Sequence, residues 1–278
     1  MGTTEEANMT SLNLTERQQR ERDYYNQYAK LHTPSIESID LSPVTKVIEK
    51  IERRPWNSYW AIYQFAINHY SEGKRLLDFG TGPGENALRF AKIGYDIEGF
   101  DISEQNIEIA KDLFHKTGLK GEFQVSFAEY LPYEDDSFDL IVGIDILHHV
   151  DISHSIRECY RVLKYGGKAF FREPVEVPFL DRIRESSIVK KFFPKNASFD
   201  NHITEDERKL NWKDERTIRS VFPKVKKHYY FLFARFDKFF REGADPRPSF
   251  LEKLDYTIMK MFPFAKRLGG TVIYELEK

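Results

Sequence analysis

The alternation of short apolar runs with helical segments between residues 75 and 173 constrains the fold of this chain more than any other feature of its sequence. Each apolar run is five or six residues long and is followed by a turn and then by a segment with helical periodicity. Because strand–helix–strand units return to their sheet by right-handed crossovers, repeated units build a parallel sheet with helices on both faces. The predicted strands of this region are residues 75–79, 96–100, 122–126, 138–143 and 168–172.

The segments on either side of this alternation predict a larger architecture. Two further strands are expected at residues 228–233 and 270–275, which makes a seven-stranded α/β, doubly wound sheet. Residues 1–14 are polar and predict a disordered tail. The remaining predicted units are an N-terminal helical cap at residues 15–72 and an α/β domain at 73–278, with its core at 74–173, a helical insert at 174–223 and an insert or lid at 236–268.

Composition excludes several classes of protein. The net charge of −2 gives no support for nucleic-acid binding, and no apolar run approaches the roughly 20 residues that a membrane-spanning helix needs. A single cysteine, Cys159, cannot form an internal disulfide or a cysteine-cluster metal site. The N-terminus has no basic tip followed by an apolar run, so no secretory signal is predicted and a cytoplasmic location is expected.

The turn after the first predicted strand carries the strongest functional signal. It has the pattern Asp-x-Gly-x-Gly-x-Gly from Asp78 to Gly84, which lets the backbone approach a ligand closely at the start of a helix. A nicotinamide-binding turn would have a third glycine at position 85, where this chain has Glu85. A carboxylate before the first glycine suits a ligand with an ammonium group and suits pyrophosphate poorly. S-adenosylmethionine has that ammonium group and no phosphate.

Further motifs extend the pattern towards one family. Asp101 ends the second predicted strand, where a carboxylate can accept both hydroxyls of a ribose. Ala128-Glu129-x-Leu-Pro and Asp-x-Ser-Phe-Asp follow the third strand, and Arg-Val-Leu-Lys-x-Gly-Gly precedes the fifth. Together these motifs resemble the class I (Rossmann-like) S-adenosylmethionine-dependent methyltransferases of the Methyltransferase 11 type. The resemblance covers residues 76–173, about a third of the chain.

The resemblance implies both a topology and a set of cofactor residues. The last strand is expected to run antiparallel between the fifth and sixth strands. Asp78, Gly80 and Gly82 would hold the methionine end of S-adenosylmethionine, with Thr81 in the same loop. The ribose and adenine would contact Asp101, Ile102, Ala128 and Glu129, and Ile144 would lie along the methionine part.

Candidate catalytic residues follow the fourth and fifth strands, because open α/β sheets bind ligands beyond the carboxyl ends of their strands. His148 and His149 are candidate general bases, although such a pair can also simply pack at the start of a helix. Together with Asp145 they are also a possible but disfavoured set of metal ligands, so no metal is predicted. Glu173 could accept a proton, or it could be tied to backbone amides instead.

The methyl acceptor is not named by any motif. Tyr24 and Tyr28 on the first predicted helix, and His202 after the fifth strand, are predicted to contact it. The favoured function is O-methylation of a small-molecule metabolite or sugar. Two alternatives stay open: a carbon- or nitrogen-methyltransferase that acts on an apolar, isoprenoid-like acceptor, and a protein that binds S-adenosylmethionine without catalysis.

Overall fold

A computed structural model describes residues 14–31, 33–185, 208–239 and 249–278 of the chain. Its sheet has seven strands in the order β3-β2-β1-β4-β5-β7-β6. The first five strands pair in parallel, and β7 is antiparallel to both β5 and β6. The predicted fold class is thereby confirmed, including the antiparallel last strand. The strands are β1 (Arg75–Phe79), β2 (Asp96–Asp101), β3 (Gly121–Val125), β4 (Phe138–Ile144), β5 (Leu163–Pro174), β6 (Lys224–Tyr230) and β7 (Thr271–Glu277).

Helices lie before and between these strands, and several begin at a side-chain cap. The Ser103 hydroxyl accepts the Asn106 amide at the start of the helix that follows β2, and that helix ends at Gly118 in the left-handed conformation. The helices are α1 (Glu16–Leu31), α2 (Ser42–Ile48), α3 (Ser58–His69), α4 (Glu85–Ile93), α5 (Glu104–Thr117), α6 (Ile152–Val162), α7 (Pro178–Glu185), α8 (Trp212–Val221) and α9 (Phe250–Met261).

The sheet is buried on both faces, which explains why its strands are apolar runs. Leu76 and Phe170 belong to the hydrophobic cluster on one face, and their neighbours Leu77 and Phe171 belong to the cluster on the other. Successive side chains of a strand point to opposite faces, so a strand covered on both sides needs apolar residues at every position. Burial of this kind holds the carboxyl ends of β1, β2 and β4 in place.

Two strands differ from their predicted ranges by more than two residues at one end or both, and the others agree to within two. β5 starts at Leu163 instead of residue 168, because Leu163 pairs with Phe138 before the register shifts by several residues around the glycine turn. β6 covers 224–230 instead of 228–233. It ends early because the Asp255 carboxylate accepts the backbone amides of residues 232, 233 and 234, which prevents them from joining the sheet.

The predictions for the flanking segments are only partly covered by the described residues. Residues 1–13 of the predicted tail, residues 186–207 of the first insert and residues 240–248 of the second lie outside them. In the parts of the chain that the structure describes, no helix is both long and apolar enough to cross a bilayer. The division into cap, core and inserts stays a prediction.

Candidate active site

A cavity of about 340 Å³ lies beyond the carboxyl ends of β1, β2 and β4. One wall is made by the glycine loop and the strand ends, and the other is made by α1. All predicted cofactor residues except Asp78 line this cavity. The lining residues are Gln18, Glu21, Tyr25, Tyr28, Ala29, Tyr59, Gly80, Thr81, Gly82, Pro83, Glu85, Asn86, Phe100, Asp101, Ile102, Asn106, Ser126, Phe127, Ala128, Glu129, Ile144, Asp145, Ile146, His149 and Val150.

The glycine loop connects β1 to α4 through a backbone path that other residues would strain. Gly80 and Gly82 have φ angles of 78° and 52°, in the left-handed region. A Cβ atom on Gly80 would lie 2.7 Å from the Ile146 side chain, so this position has no room for one. The Thr81 amide donates to the Phe100 carbonyl at 2.8 Å, which ties the loop to β2. The backbone of the loop can therefore approach a ligand without interference from side chains.

Asp78 lies directly beneath this loop, and its side chain is only 1% exposed. Burial raises the pKa of its carboxyl from 3.8 to about 7, although the Thr81 hydroxyl donates to it at 2.8 Å and opposes the shift. A positively charged ligand in the adjoining cavity would favour the ionised form. The chemistry of this carboxylate thus fits the ammonium end of S-adenosylmethionine.

Asp101 is held by three donors from the protein itself. One oxygen accepts the Gly82 amide at 2.9 Å, and the other accepts the Ser103 amide at 2.9 Å and the Asn106 side chain at 3.1 Å. Burial raises its pKa despite these hydrogen bonds. The carboxylate therefore fixes the glycine loop against the end of β2 and also presents an acceptor to the cavity.

The predicted adenine side of the cavity includes a carboxylate that is linked to α1. Glu129 accepts the Asp151 amide at 2.8 Å with one oxygen and the side-chain amide of Gln18 at 3.0 Å with the other. Ile102 and Ala128 line the cavity beside it. The hydrogen bond from Gln18 places α1 across the opening of this pocket.

The structure separates the two histidines that follow β4. His148 is buried, and its Nδ1 lies 2.7 Å from Oε2 of Glu173, which is fully buried. The other carboxylate oxygen of Glu173 accepts the amides of Ile146 and Leu147. Neither His148 nor Glu173 lines the cavity. This geometry favours a role for the pair in positioning the turn after β4.

His149 points into the cavity and contacts α1 with both of its ring nitrogens. Nε2 lies 3.2 Å from the Tyr25 hydroxyl, and Nδ1 lies 3.4 Å from Oε2 of Glu21. Tyr28, one of the predicted acceptor contacts, also lines the cavity. Tyr24 does not; its ring stacks on Tyr28 at a centroid distance of 6.3 Å.

Asp145, His148 and His149 have different partners. Asp145 forms an ion pair with Arg172, while the two histidines contact Glu173 and Glu21 respectively. Among the residues that the structure describes, no three His, Cys, Asp or Glu side chains are grouped in a way that could hold a metal ion.

Other contributors to the cavity had no sequence signal. Gln18 and Glu21 are two of many polar residues in α1, and only the docking of that helix brings them to the pocket. Asn106 is hidden in an ordinary helix but supports Asp101. The predicted acceptor contact His202 lies outside the described residues.

In this α/β fold the glycine loop, Asp78 and Asp101 lie together at the ends of the adjacent strands β1 and β2. Residues 77–171 match the family model described as a methyltransferase domain. The chain therefore contains a class I S-adenosylmethionine-dependent methyltransferase domain, and S-adenosylmethionine is its cofactor.

Curated relatives resemble the chain over this same region. The 27-O-demethylrifamycin SV methyltransferase of Amycolatopsis mediterranei is 39% identical over 110 residues, which are 38% of this chain and 40% of the relative. The demethylmenaquinone methyltransferase of Chlorobaculum tepidum is 33% identical over 143 residues, 49% of this chain and 54% of the relative. The chain thus spans about half the length of the curated relatives that it matches.

A solved structure resembles the chain over most of its length. The geranyl diphosphate C-methyltransferase of Streptomyces coelicolor has a TM-score of 0.56 and 15% identity, covering 94% of this chain and 97% of its own. At this level of identity the similarity establishes the fold alone.

Proposed function

We propose that the chain transfers a methyl group from S-adenosylmethionine to a hydroxyl oxygen of a small-molecule acceptor. One observation carries the proposal: Nε2 of His149 lies in the predicted cofactor cavity, 3.2 Å from a hydroxyl group, that of Tyr25. A general base must come within hydrogen-bond reach of the proton that it removes. His149 lies within hydrogen-bond distance of a hydroxyl group at the predicted donor site.

The residues that hold the donor would be those already predicted. Asp78 would favour the ammonium group, the backbone of Gly80 to Gly82 would follow the methionine part, and Asp101 would face the ribose. When bound, S-adenosylmethionine supplies a methyl group whose bond to a positively charged sulfur breaks as its bond to the acceptor oxygen forms, with the electron pair left on sulfur. His149 would accept the hydroxyl proton through Nε2.

The α1 wall would limit the access of water to this reaction. Tyr25 and Tyr28 line the cavity from α1, and Tyr59 lines it from α3. These rings surround the acceptor with apolar surface and a few polar groups, as is usual in small-molecule sites. A cavity of this size fits a small molecule better than a polymer.

The names of two groups of relatives support an oxygen acceptor. One relative is named for methylation of 27-O-demethylrifamycin SV, and others are named ubiquinone biosynthesis O-methyltransferases. The aromatic lining of the cavity also favours a second candidate, methylation of a carbon or nitrogen atom in an apolar, isoprenoid-like acceptor.

Labelled methyl transfer tests the proposal. The full chain is incubated with S-adenosylmethionine that carries an isotopic methyl label, together with a panel of quinols, catechols, polyketide hydroxyls, sugars, amines and a prenyl diphosphate. We expect label only on the hydroxyl acceptors, as an O-methyl group found by mass spectrometry. Label on carbon or nitrogen alone would support the second candidate, and donor binding without any transfer would indicate a binding protein.

A variant of the proposed base sharpens this test. For His149→Gln we expect kcat to fall about 100-fold, since general base catalysis contributes about 10²- to 10⁴-fold. The Kd for the donor, measured by calorimetry, should stay within about threefold of the wild-type value because the glycine loop is untouched. Retention of full O-methylation by this variant would contradict the assignment of His149.

A further inference from the structure

Glu21 is a charged residue in an unusual position on α1. The helix is strongly polar, and only two of its residues, Glu21 and Ala29, are buried. Glu21 is just 5% exposed. A carboxylate is costly to bury unless it has partners. The other charged residues of α1 keep the helix soluble, but a buried glutamate does not serve that purpose, so the contacts of Glu21 are of interest.

The imidazole of His149 is one of the groups that Glu21 contacts at the cavity. Oε2 of Glu21 lies 3.4 Å from Nδ1 of His149, and the two side chains are 6% and 8% exposed. The contact joins α1 to the turn after β4, which are far apart in the sequence. Docking of the helix thereby brings a carboxylate to the histidine that is the proposed base.

The opposite nitrogen of the same imidazole faces a hydroxyl. Tyr25 is one helical turn after Glu21, and residues four apart lie on the same face of a helix. Its Oη lies 3.2 Å from Nε2 of His149. The ring of His149 is therefore placed between a carboxylate at one nitrogen and a hydroxyl at the other.

These contacts favour one of the two positions for the proton of the neutral ring. The 3.4 Å contact between Nδ1 and Oε2 of Glu21 is an ion-pair contact without the geometry of a hydrogen bond. A carboxylate oxygen attracts an N–H group and repels a nitrogen lone pair, so the contact favours the form of the ring with its proton on Nδ1. Nε2 then has its lone pair directed at the hydroxyl, as a base requires. The hydroxyl of Tyr25 occupies the place that an acceptor hydroxyl would take.

We propose that Glu21 is a positioning residue that holds His149 with its proton on Nδ1 and its basic Nε2 towards the acceptor hydroxyl. The inference rests on the proposed function, in which His149 is the base. The proton of the acceptor hydroxyl moves to Nε2, and the resulting positive charge on the ring lies against the Glu21 carboxylate. The N-terminal helix thus completes the catalytic site in addition to covering it.

The chain contains an internal comparison for this arrangement. His148 and Glu173 also form a histidine–carboxylate pair through Nδ1, but that pair is fully enclosed and does not line the cavity. Of these two pairs, the Glu21–His149 pair has both of its side chains among the residues that line the cavity. Substitution of Glu21 should therefore change the rate of methyl transfer to the acceptor.

The test is nitrogen NMR of the histidine side chains in the full chain, labelled with ¹⁵N-histidine and saturated with S-adenosylhomocysteine. The His149 signals are assigned by their loss in His149→Gln. We expect the wild type to have the proton on Nδ1, and Glu21→Gln to shift the population towards the Nε2–H form. Glu16→Gln is the matched control, because it makes the same change at an exposed position of the same helix.

Kinetics with a hydroxyl acceptor from the labelled-methyl panel provide the second measurement. Glu21→Gln should lower kcat about 30-fold, less than the roughly 10²- to 10⁴-fold effect of a general base because His149 itself remains, while Kd for the donor changes less than about threefold. Glu16→Gln should match the wild type. Unchanged His149 tautomer populations in Glu21→Gln, or unchanged kcat, would overturn the proposal. If the wild type forms no O-methyl product with any acceptor, the proposed function is wrong. That outcome is distinct from a wild type that is active and a Glu21→Gln variant that is unchanged.

Discussion

The two walls of the cavity are built in different ways. The glycine-loop wall, residues 78–84 with Asp101, comes from consecutive residues and adjacent strand ends, and it is held by backbone hydrogen bonds. The α1 wall, formed by Gln18, Glu21, Tyr25 and Tyr28, reaches the cavity only through contacts between segments distant in the sequence. A wall made from backbone suits a cofactor that does not vary. A wall made from side chains on a docked helix can be altered to suit an acceptor.

Asp78→Asn tests the glycine-loop wall most severely. Donor affinity should fall about 100-fold, because loss of one partner of a buried charge pair costs about 2–5 kcal/mol. The variant without donor should nevertheless be more stable than the wild type at pH 8. Burial raises the folded-state pKa of Asp78 from 3.8 to about 7, so the folded state loses stability as pH rises through that interval. Calorimetry and thermal unfolding measure the two effects.

An affinity for the donor that is unchanged in Asp78→Asn would remove this residue from the donor site. The matched control is Asp96→Asn, because Asp96 is an exposed residue at the opposite end of β2. It should change neither quantity.

Alanine at Gly80 and at Gly82 separates the effect of space from the effect of backbone conformation. Both positions are left-handed, but only at Gly80 would the new Cβ meet another side chain, that of Ile146 at 2.7 Å. We expect Gly80→Ala to lower the free energy of unfolding by about 2–4 kcal/mol and Gly82→Ala by about 1–2 kcal/mol. Chemical denaturation measures both values. Equal losses would mean that the Ile146 side chain or the loop moves to make room for the new Cβ of Gly80→Ala.

The pH dependence of donor binding should come from Asp78, beneath the glycine loop. Between pH 5.5 and 7 the ammonium group of the donor stays protonated, while Asp78, whose pKa burial raises to about 7, must lose its proton. Affinity should therefore rise with pH, by up to about tenfold per unit, and level off above 7. Calorimetry across this range measures the slope. A slope that persists in Asp78→Asn would assign the titration to another group.

Gln18→Ala should have the smallest effect, because it removes one hydrogen bond between α1 and the rest of the cavity; the other bonds of this side chain are to Thr15, at the exposed start of α1. Gln18 donates to Glu129 at 3.0 Å, and a hydrogen bond of this kind contributes about 0.5–1.5 kcal/mol. We expect donor affinity to weaken about threefold, in line with that range. Gln19→Ala, which changes the exposed neighbouring glutamine, serves as the control. A loss as large as that of Asp78→Asn would mean that α1 contributes as much to donor binding as the glycine loop does.

Much of the fold could be predicted because its signals are local. The apolar runs of β1 and β4 indicated strands covered on both faces, and the structure confirms them. The start of β5 and the end of β6 were predicted wrongly, for reasons that lie elsewhere in the chain. Leu163 joins β5 through its pairing with Phe138, and Asp255 ends β6 by binding three backbone amides. No window of sequence around either strand contains that information.

The candidate site divides in the same way. The glycine pattern, Asp101 and the His148–His149 pair could be recognised from the sequence, because motifs at strand ends are contiguous. Which of the two histidines faces the cavity was not predictable. Glu173, which is far from the histidines in the sequence, binds His148 in the interior. His149 instead contacts Glu21 of α1.

The sequence by itself determined the class of domain, its cofactor and the loop that would hold the methionine end of that cofactor. These features depend on backbone conformation and on the periodicity of neighbouring residues. Only the tertiary structure decided that Glu21 is buried against His149 and that Tyr25 lies at its other nitrogen. The physical reason is that a polar helix such as α1 has no strong apolar face to indicate its docking, so the pairing of its side chains depends on where the helix packs.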